Sequence, residues 1–423
     1  MVEAVKHRDQ RMFDELLRAK VEINAVEPDG ATALAWAVHL GQREMADALL
    51  RAGANVDAAD VYGETPLTLT AANGDGALVQ SLLAAGAKAN TIRWNGETVL
   101  MLAAGAESLD GVKALIRHGA DVNAAEPRLG QTALMWAAAE GHHEVIRGLL
   151  EAGATVNGAS TAGSTPLVFA SAKGDVSSIK TLLAAGADAN YELPSGGRPL
   201  LIALSSEHTD AAIALLEGGA LPDAGDRAGN TPLQVAAQNG DLTVVKALLA
   251  RNVDMNARTA AVGAVGGARG GGGGVRGAAN GALTALMLAA RGDHADVMRT
   301  LVAAGADPSL RSENGSNLVM LAANAARIDT VKYAYELDPQ VDIVLAGGNT
   351  IAHLAVALAS RTQQEVCEIV QFLADRGAAL DEVNAAGRTP IAQADGIPVD
   401  LASHLLAKLI RERGAEPKIA PKY

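Results

Sequence analysis

Cysteine is nearly absent from this 423-residue chain. Cys367 stands alone, which excludes an intrachain disulfide and leaves the redox compartment open. Aromatic residues amount to 3% although apolar residues reach 49%, much of it alanine. That balance excludes a large core of bulky side chains and suits thin helices packed closely. Lys and Arg number 35 against 48 Asp and Glu, a net charge of −13 with a pI near 5.2. Phosphate binding needs a basic face, so nucleic acid is not an expected partner. The excess negative charge serves solubility or selects basic partners. No apolar run is long enough to span a bilayer, and membrane insertion is not expected. MVEAVKHRDQ at the start has no signal-peptide h-region.

What the chain has instead is a period. The stretch TALAWAVHLGQREMADALLRAGANVDAAD, from Thr32, returns 33 residues on as TPLTLTAANGDGALVQSLLAAGAKANTIR, from Thr65. It recurs at Thr98, Thr132, Thr165, Thr231, Thr284, Thr350 and Thr389, and Arg198 and Asn317 hold the same slot in drifted copies. A period of this size marks stacked supersecondary units, each touching only its neighbours. Each copy reads G-x-T-[PA]-L, a short Ala-rich helix, a turn, a second helix ending in Leu-Leu, then Gly-Ala and Asn. Thr suits an N-cap, and Pro after it has φ already set for a helix. Gly53, Gly86, Gly119, Gly153, Gly186, Gly219, Gly305 and Gly377 end the second helices where a left-handed residue is wanted, and Asn252 takes that slot once.

These residues resemble the ankyrin repeat, two antiparallel helices and a β-turn finger with the signature T-P-L-H-x-A. The resemblance covers nearly the whole chain and extends in style to long bacterial arrays. It departs at the signature His, kept at His353 and replaced by Met101, Met135, Met287 and Met320. It implies an all-α repeat solenoid of about twelve stacked repeats, curved, forming a single array. Residues 1–28 are read as the N-terminal capping unit, 29–258 and 282–384 as repeats, and 385–423 as the C-terminal capping unit. Residues 259–281 are a Gly-rich insertion read as a flexible spacer. A second insertion of six residues falls near ALASRTQQ. The chain begins inside the first helix of its first repeat, and a leader is expected to precede it. The protein is then soluble and exported or periplasmic, with the cytoplasm as the alternative.

No catalytic arrangement sits at a break in the repeat, so no enzyme activity and no cofactor are expected. GGARGGGGGVRG lacks the G-K-[ST] of a phosphate loop, and with no aromatics it does not make an RGG segment. His142, His208 and His294 follow the inter-helix turn and are read as structural, and His142-His143 has no partner spacing for a metal. Trp36, Trp136 and Phe169 lie four residues after the Thr slot, with Leu69, Leu102, Leu288, Leu321 and Leu354, a register read as core. Tyr62, Trp94 and Leu129 lie instead at the tips of successive fingers, where large apolar residues act as interface anchors.

The expected function is that of a monomeric scaffold binding another protein on its concave surface of fingers and inner helices. Its apolar centre is Tyr62, Trp94 and Leu129. Its rim is His39, Glu64, Asn73, Asn95, Glu97, Arg128, Gln131, Glu140, Lys173, Arg227, Asn230, Gln238 and Asn239. One alternative is a structural subunit docking through an uncovered Leu405, Leu406 and Leu409. Another is a peptide or small-molecule receptor with a groove under the Gly-rich segment.

Overall fold

The computed structural model describes residues 1–260, 281–325, 327–357, 362–395 and 400–421. The described residues form 24 helices and no strand. They divide into two compact units, the N-terminal one of Met1–Pro194 with Glu217–Gly219, and the C-terminal one of Ser195–Leu216 with Ala220–Tyr423.

Each repeat is built from the same local physics. The Thr oxygen accepts from the third helical N–H at Thr32, Thr65, Thr98, Thr132, Thr231, Thr284 and Thr389. Asn317 does the same to Met320 N–H at 2.9 Å. Two residues past this cap, Leu34, Leu67, Leu100, Leu134, Leu167, Leu200, Leu233 and Leu286 are all 3% exposed or less. They are the sealed core, and burying each such side chain contributes roughly 1.5–3 kcal/mol. The glycines named above have φ between 84° and 103°, and Asn252 has φ 54°, each closing a second helix.

The asparagine that ends each copy acquires its reason only in three dimensions. Asn123 Oδ1 accepts from Thr155 N–H at 2.8 Å while its Nδ2 donates to the Gly153 carbonyl at 3.1 Å. Asn90 and Asn157 make the same pair of bonds to the next turn. One amide both donates and accepts, so it clamps the orphan groups of a neighbouring helix end.

Fingers are closed by side-chain acceptors, at the first residue in several and at the third in that of Trp94, where Asn95 Oδ1 takes Glu97 N–H at 3.2 Å. Asp60 Oδ1 takes Tyr62 N–H and Glu64 N–H at 2.8 and 2.9 Å, and Asp226 serves its finger likewise. The finger ending at Thr132 is one residue longer, and the longer Glu126 fills the role. It takes N–H groups from Arg128, Leu129 and Gln131 at 2.8, 2.7 and 3.1 Å. Burial raises the Glu126 carboxyl, but these donors outweigh it and hold it below the ordinary value.

The second insertion is partly helical. Gln363–Ala374 runs 12 residues against 9 for Val176–Ala184. Residues 358–361 lie outside the described residues, as do 261–280 of the Gly-rich segment. That segment leaves and re-enters a finger at a closed neck. Thr259 N–H bonds the Leu283 carbonyl at 3.0 Å, and Ala282 N–H bonds the Thr259 carbonyl at 3.2 Å.

Candidate protein-binding surface

In the N-terminal unit three finger tips leave apolar side chains in solvent. Trp94 is 79% exposed, Tyr62 68% and Leu129 38%, with Val61 and Ile92 exposed beside them. Side-chain acceptors at Asp60, Asn95 and Glu126 brace these tips, which leaves less ordering entropy to lose on binding. A rigid, exposed aromatic is the residue type that loses least on burial against a partner.

Behind the tips runs the row of residues that precede each N-cap. Here two of the expected rim residues are tied to their own chain. Arg93 Nε lies 2.8 Å from Glu64 Oε1, and Arg93 Nη1 lies 3.3 Å from Glu97 Oε2. Glu64 also accepts from Thr68 Oγ1 at 2.8 Å. This charged ladder ends at Gln131, the next residue of the row. Beyond it the inner helices open into a groove of about 410 Å³, lined by Leu102, Gly105, Gln131, Met135, Trp136, Glu140 and Phe169 among others.

The groove corrects one expectation. Trp36, Trp136 and Phe169 are not sealed in a core but half-buried, on the helix face that meets the fingers. A helix turns 100° per residue, so a position four past the cap looks about 160° away from the sealed leucine two before it. Room for Trp136 comes from Gly105, where a Cβ would sit 3.1 Å from Trp136 Cε3. A signal for this was present. The slot two past the Thr holds Leu in eight copies, whereas the slot four past it varies from Val235 to Trp136. A slot so variable in volume does not belong to a close-packed interior. In three successive repeats of the C-terminal unit the same register is closed, with Val235 5%, Leu288 0% and Leu321 2% exposed, whereas Ile202 and Leu354 are half-buried.

The other expected residues fall into two groups. His39, Asn73, Arg128, Glu140, Lys173, Arg227 and Asn239 are exposed, and Asn95, Gln131 and Gln238 are partly so. Lys173 Nζ lies 3.4 Å from Glu140 Oε2, and Asn239 Nδ2 donates to the Leu204 carbonyl at 2.7 Å. Asn230 differs, being 4% exposed with its Nδ2 donating to Asp226 Oδ2 at 2.9 Å. His142 Nε2 donates to the Gly105 carbonyl at 3.1 Å and His294 Nε2 to the Gln238 carbonyl at 2.9 Å, each joining two repeats. Among the described residues no group of three or more His, Cys, Asp or Glu could hold a metal ion.

A family model described as ankyrin repeats, in three copies, matches residues 1–91, 67–160, 162–259 and 286–384. The chain belongs to the ankyrin-repeat family. No curated protein matches it. Ankyrin repeats generally mediate protein–protein interaction, and the signature His shows how one such repeat is locked. His353 is 0% exposed. Thr350 N–H donates to its Nδ1 at 3.1 Å, so Nε2 carries the proton and donates to the Arg388 carbonyl at 3.0 Å. Burial pushes the His353 pKa down, which keeps the ring neutral. Gln234 Oε1 reproduces the inner bond, accepting from Thr231 N–H at 2.8 Å. Methionines 101, 135, 287 and 320 fill the slot, each 1% exposed or less, and Met101 Sδ also accepts from Thr98 N–H at 3.5 Å. No described helix is long and apolar enough to cross a membrane.

Proposed function

We propose that this ankyrin-repeat chain is a non-enzymatic scaffold that binds a partner protein through the N-terminal unit. The contact surface is the finger tips together with the adjoining face of the inner helices. The observation that carries this reading is the exposure of Tyr62, Trp94 and Leu129 at successive, internally braced tips. Exposed aromatics with a polar rim are the composition of an interface centre. The free members of the rim are Arg128, Asn73 and Gln131, since Arg93 already engages Glu64 and Glu97.

The structural-subunit alternative needed an uncovered C-terminal face. Leu406 is 0% exposed and Leu409 7%, whereas Leu405 is half-buried and Leu401 58% exposed, so only part of that face is open. The groove imagined under the Gly-rich segment falls outside the described residues.

The test is capture of partners from source-cell extract by the intact protein and by a Tyr62→Ala, Trp94→Ala, Leu129→Ala variant of unchanged helicity. A partner held by the first and lost by the second, at a cost of a few kcal/mol, is expected. Equal capture by both would overturn the assignment.

A further inference from the structure

Four slots of the repeat meet at the inner-helix face: the residue before the cap, those three and four past it, and the one four past the next cap. In the C-terminal unit they are Leu283, Met287, Leu288 and Leu321, a buried cluster against which Leu310 also packs. Leu283 is 0% exposed. In the N-terminal unit the same four slots are Gln131, Met135, Trp136 and Phe169, and they line the 410 Å³ groove. The residue that closes the first arrangement is a leucine, and its counterpart in the second is a glutamine.

We propose that this groove receives an aliphatic side chain of the leucine class, carried by an extended basic segment of the partner protein. The side chain seats where Leu283 seats itself in the C-terminal unit. The proposal rests on the protein-binding reading above and names the chemistry of its partner. Shape comes from the chain itself, since Leu283 shows what fills this set of slots. Polarity agrees. Trp136 Nε1 has no hydrogen-bond partner, whereas Trp36 Nε1, in the same register, donates to Glu27 Oε2 at 2.7 Å. The Trp136 nitrogen is itself buried, so the indole meets the groove through its apolar surface. Charge sets the flanks. Glu140 lines the groove with its side chain 55% exposed, and Glu107, two residues past Gly105, is 74% exposed. Lys173 Nζ lies 3.4 Å from Glu140 and His142 Nδ1 3.9 Å from Glu107, two carboxylates to one lysine, so a Lys or Arg beside the aliphatic residue meets net negative charge on the rim.

The experiment titrates Ac-Lys-Leu-Lys-NH2 into the ¹⁵N-labelled full chain and follows the indole N–H signals, assigned by single Trp→Phe variants. Trp136 is expected to shift saturably while Trp36 and Trp94 stay still. Replacing the leucine by alanine weakens binding by about tenfold or more, and Ac-Glu-Leu-Glu-NH2 binds less well than the basic peptide. Gln131→Leu builds the plug of the C-terminal unit into the groove. It is expected to abolish the Trp136 response while holding or raising the urea midpoint, so that loss of binding is not loss of fold. Equal shifts at all three indoles, no shift at Trp136, or an undiminished response in Gln131→Leu would overturn the proposal. The two readings separate by capture. A cellular partner lost by the finger-tip variant but kept by Gln131→Leu defeats the groove and leaves the protein-binding reading standing. A partner kept by both variants defeats both.

Discussion

Gln131 and Leu283 stand in the same slot of two repeats, each one residue before an N-cap threonine, and each faces a methionine three residues past that cap. Around Leu283 the face is dry and closed; around Gln131 it is a groove walled by Trp136 and Phe169. The Thr caps and inner helices of the two repeats follow the same plan, although the finger before Thr132 is one residue longer and the one before Thr284 carries the Gly-rich insertion. Three of the four slots differ, and the residue before the cap either buries itself, as Leu283 does, or stays at the rim, as Gln131 does. Solenoid repeats are well suited to this division of labour, because a framework of sealed leucines tolerates changes in the slots that face outward.

The largest break in that comparison is Leu283→Ala, which would open the closed face. A cost of about 2–5 kcal/mol is expected from lost burial and the cavity left behind. Urea unfolding measures it, and a change below about 0.5 kcal/mol would mean that the cluster is not held by Leu283. Next in size is Glu126→Ala. It leaves three N–H groups of the longer finger without their acceptor, at about 1–3 kcal/mol, and should raise hydrogen exchange at Leu129 and Gln131 specifically. Asn123→Ala removes two inter-repeat bonds near the surface, worth about 0.5–1.5 kcal/mol each. An unchanged midpoint in that variant would show that water replaces the clamp.

A pH series sharpens the contrast between the repeats locked by His353 and those locked by methionine. The folded pKa of His353 is depressed, so the unfolded chain binds the proton more readily. Stability from this group is therefore complete above the ordinary histidine value of 6.5 and is lost as pH falls below it. Protonation also takes away the Nδ1 lone pair that holds Thr350 N–H. His353→Gln, which can keep that acceptor as Gln234 does, should flatten the loss between pH 7.5 and 5 in thermal melts. A slope equal to that of the native chain would assign the acid sensitivity elsewhere. Smallest of all in stability is Trp94→Ala. An exposed tip should move the midpoint by no more than about 0.5 kcal/mol, although the same change is expected to weaken partner binding strongly.

Most of the repeat plan was legible in the chain because its signals are local. Thr32 before Ala33, Pro66 after Thr65 and Gly86 after the Leu82-Leu83 pair each act within one helical turn, where capping and φ preference operate. The finger tips were legible for the same reason, since Tyr62 and Trp94 follow from their distance to Gly63 and Gly96. Trp136 and Phe169 were misplaced because periodicity says that a slot is regular, not which side of the helix its neighbours cover. Asn230 carries the same lesson in reverse. Its position beside the finger glycine suggested exposure, yet the carboxylate of Asp226 draws it inside.

The sequence alone therefore determined the family, the helix pairs, their caps and the braced fingers, since each depends on residues a few positions apart. Tertiary packing decided which faces stayed open. The ion-pair ladder through Arg93, the closure around Leu283 and the groove at Gln131 all join residues of different repeats, about thirty positions apart. Whether such a face is dry or accessible turns on side-chain volume summed across neighbours, a quantity no single repeat contains.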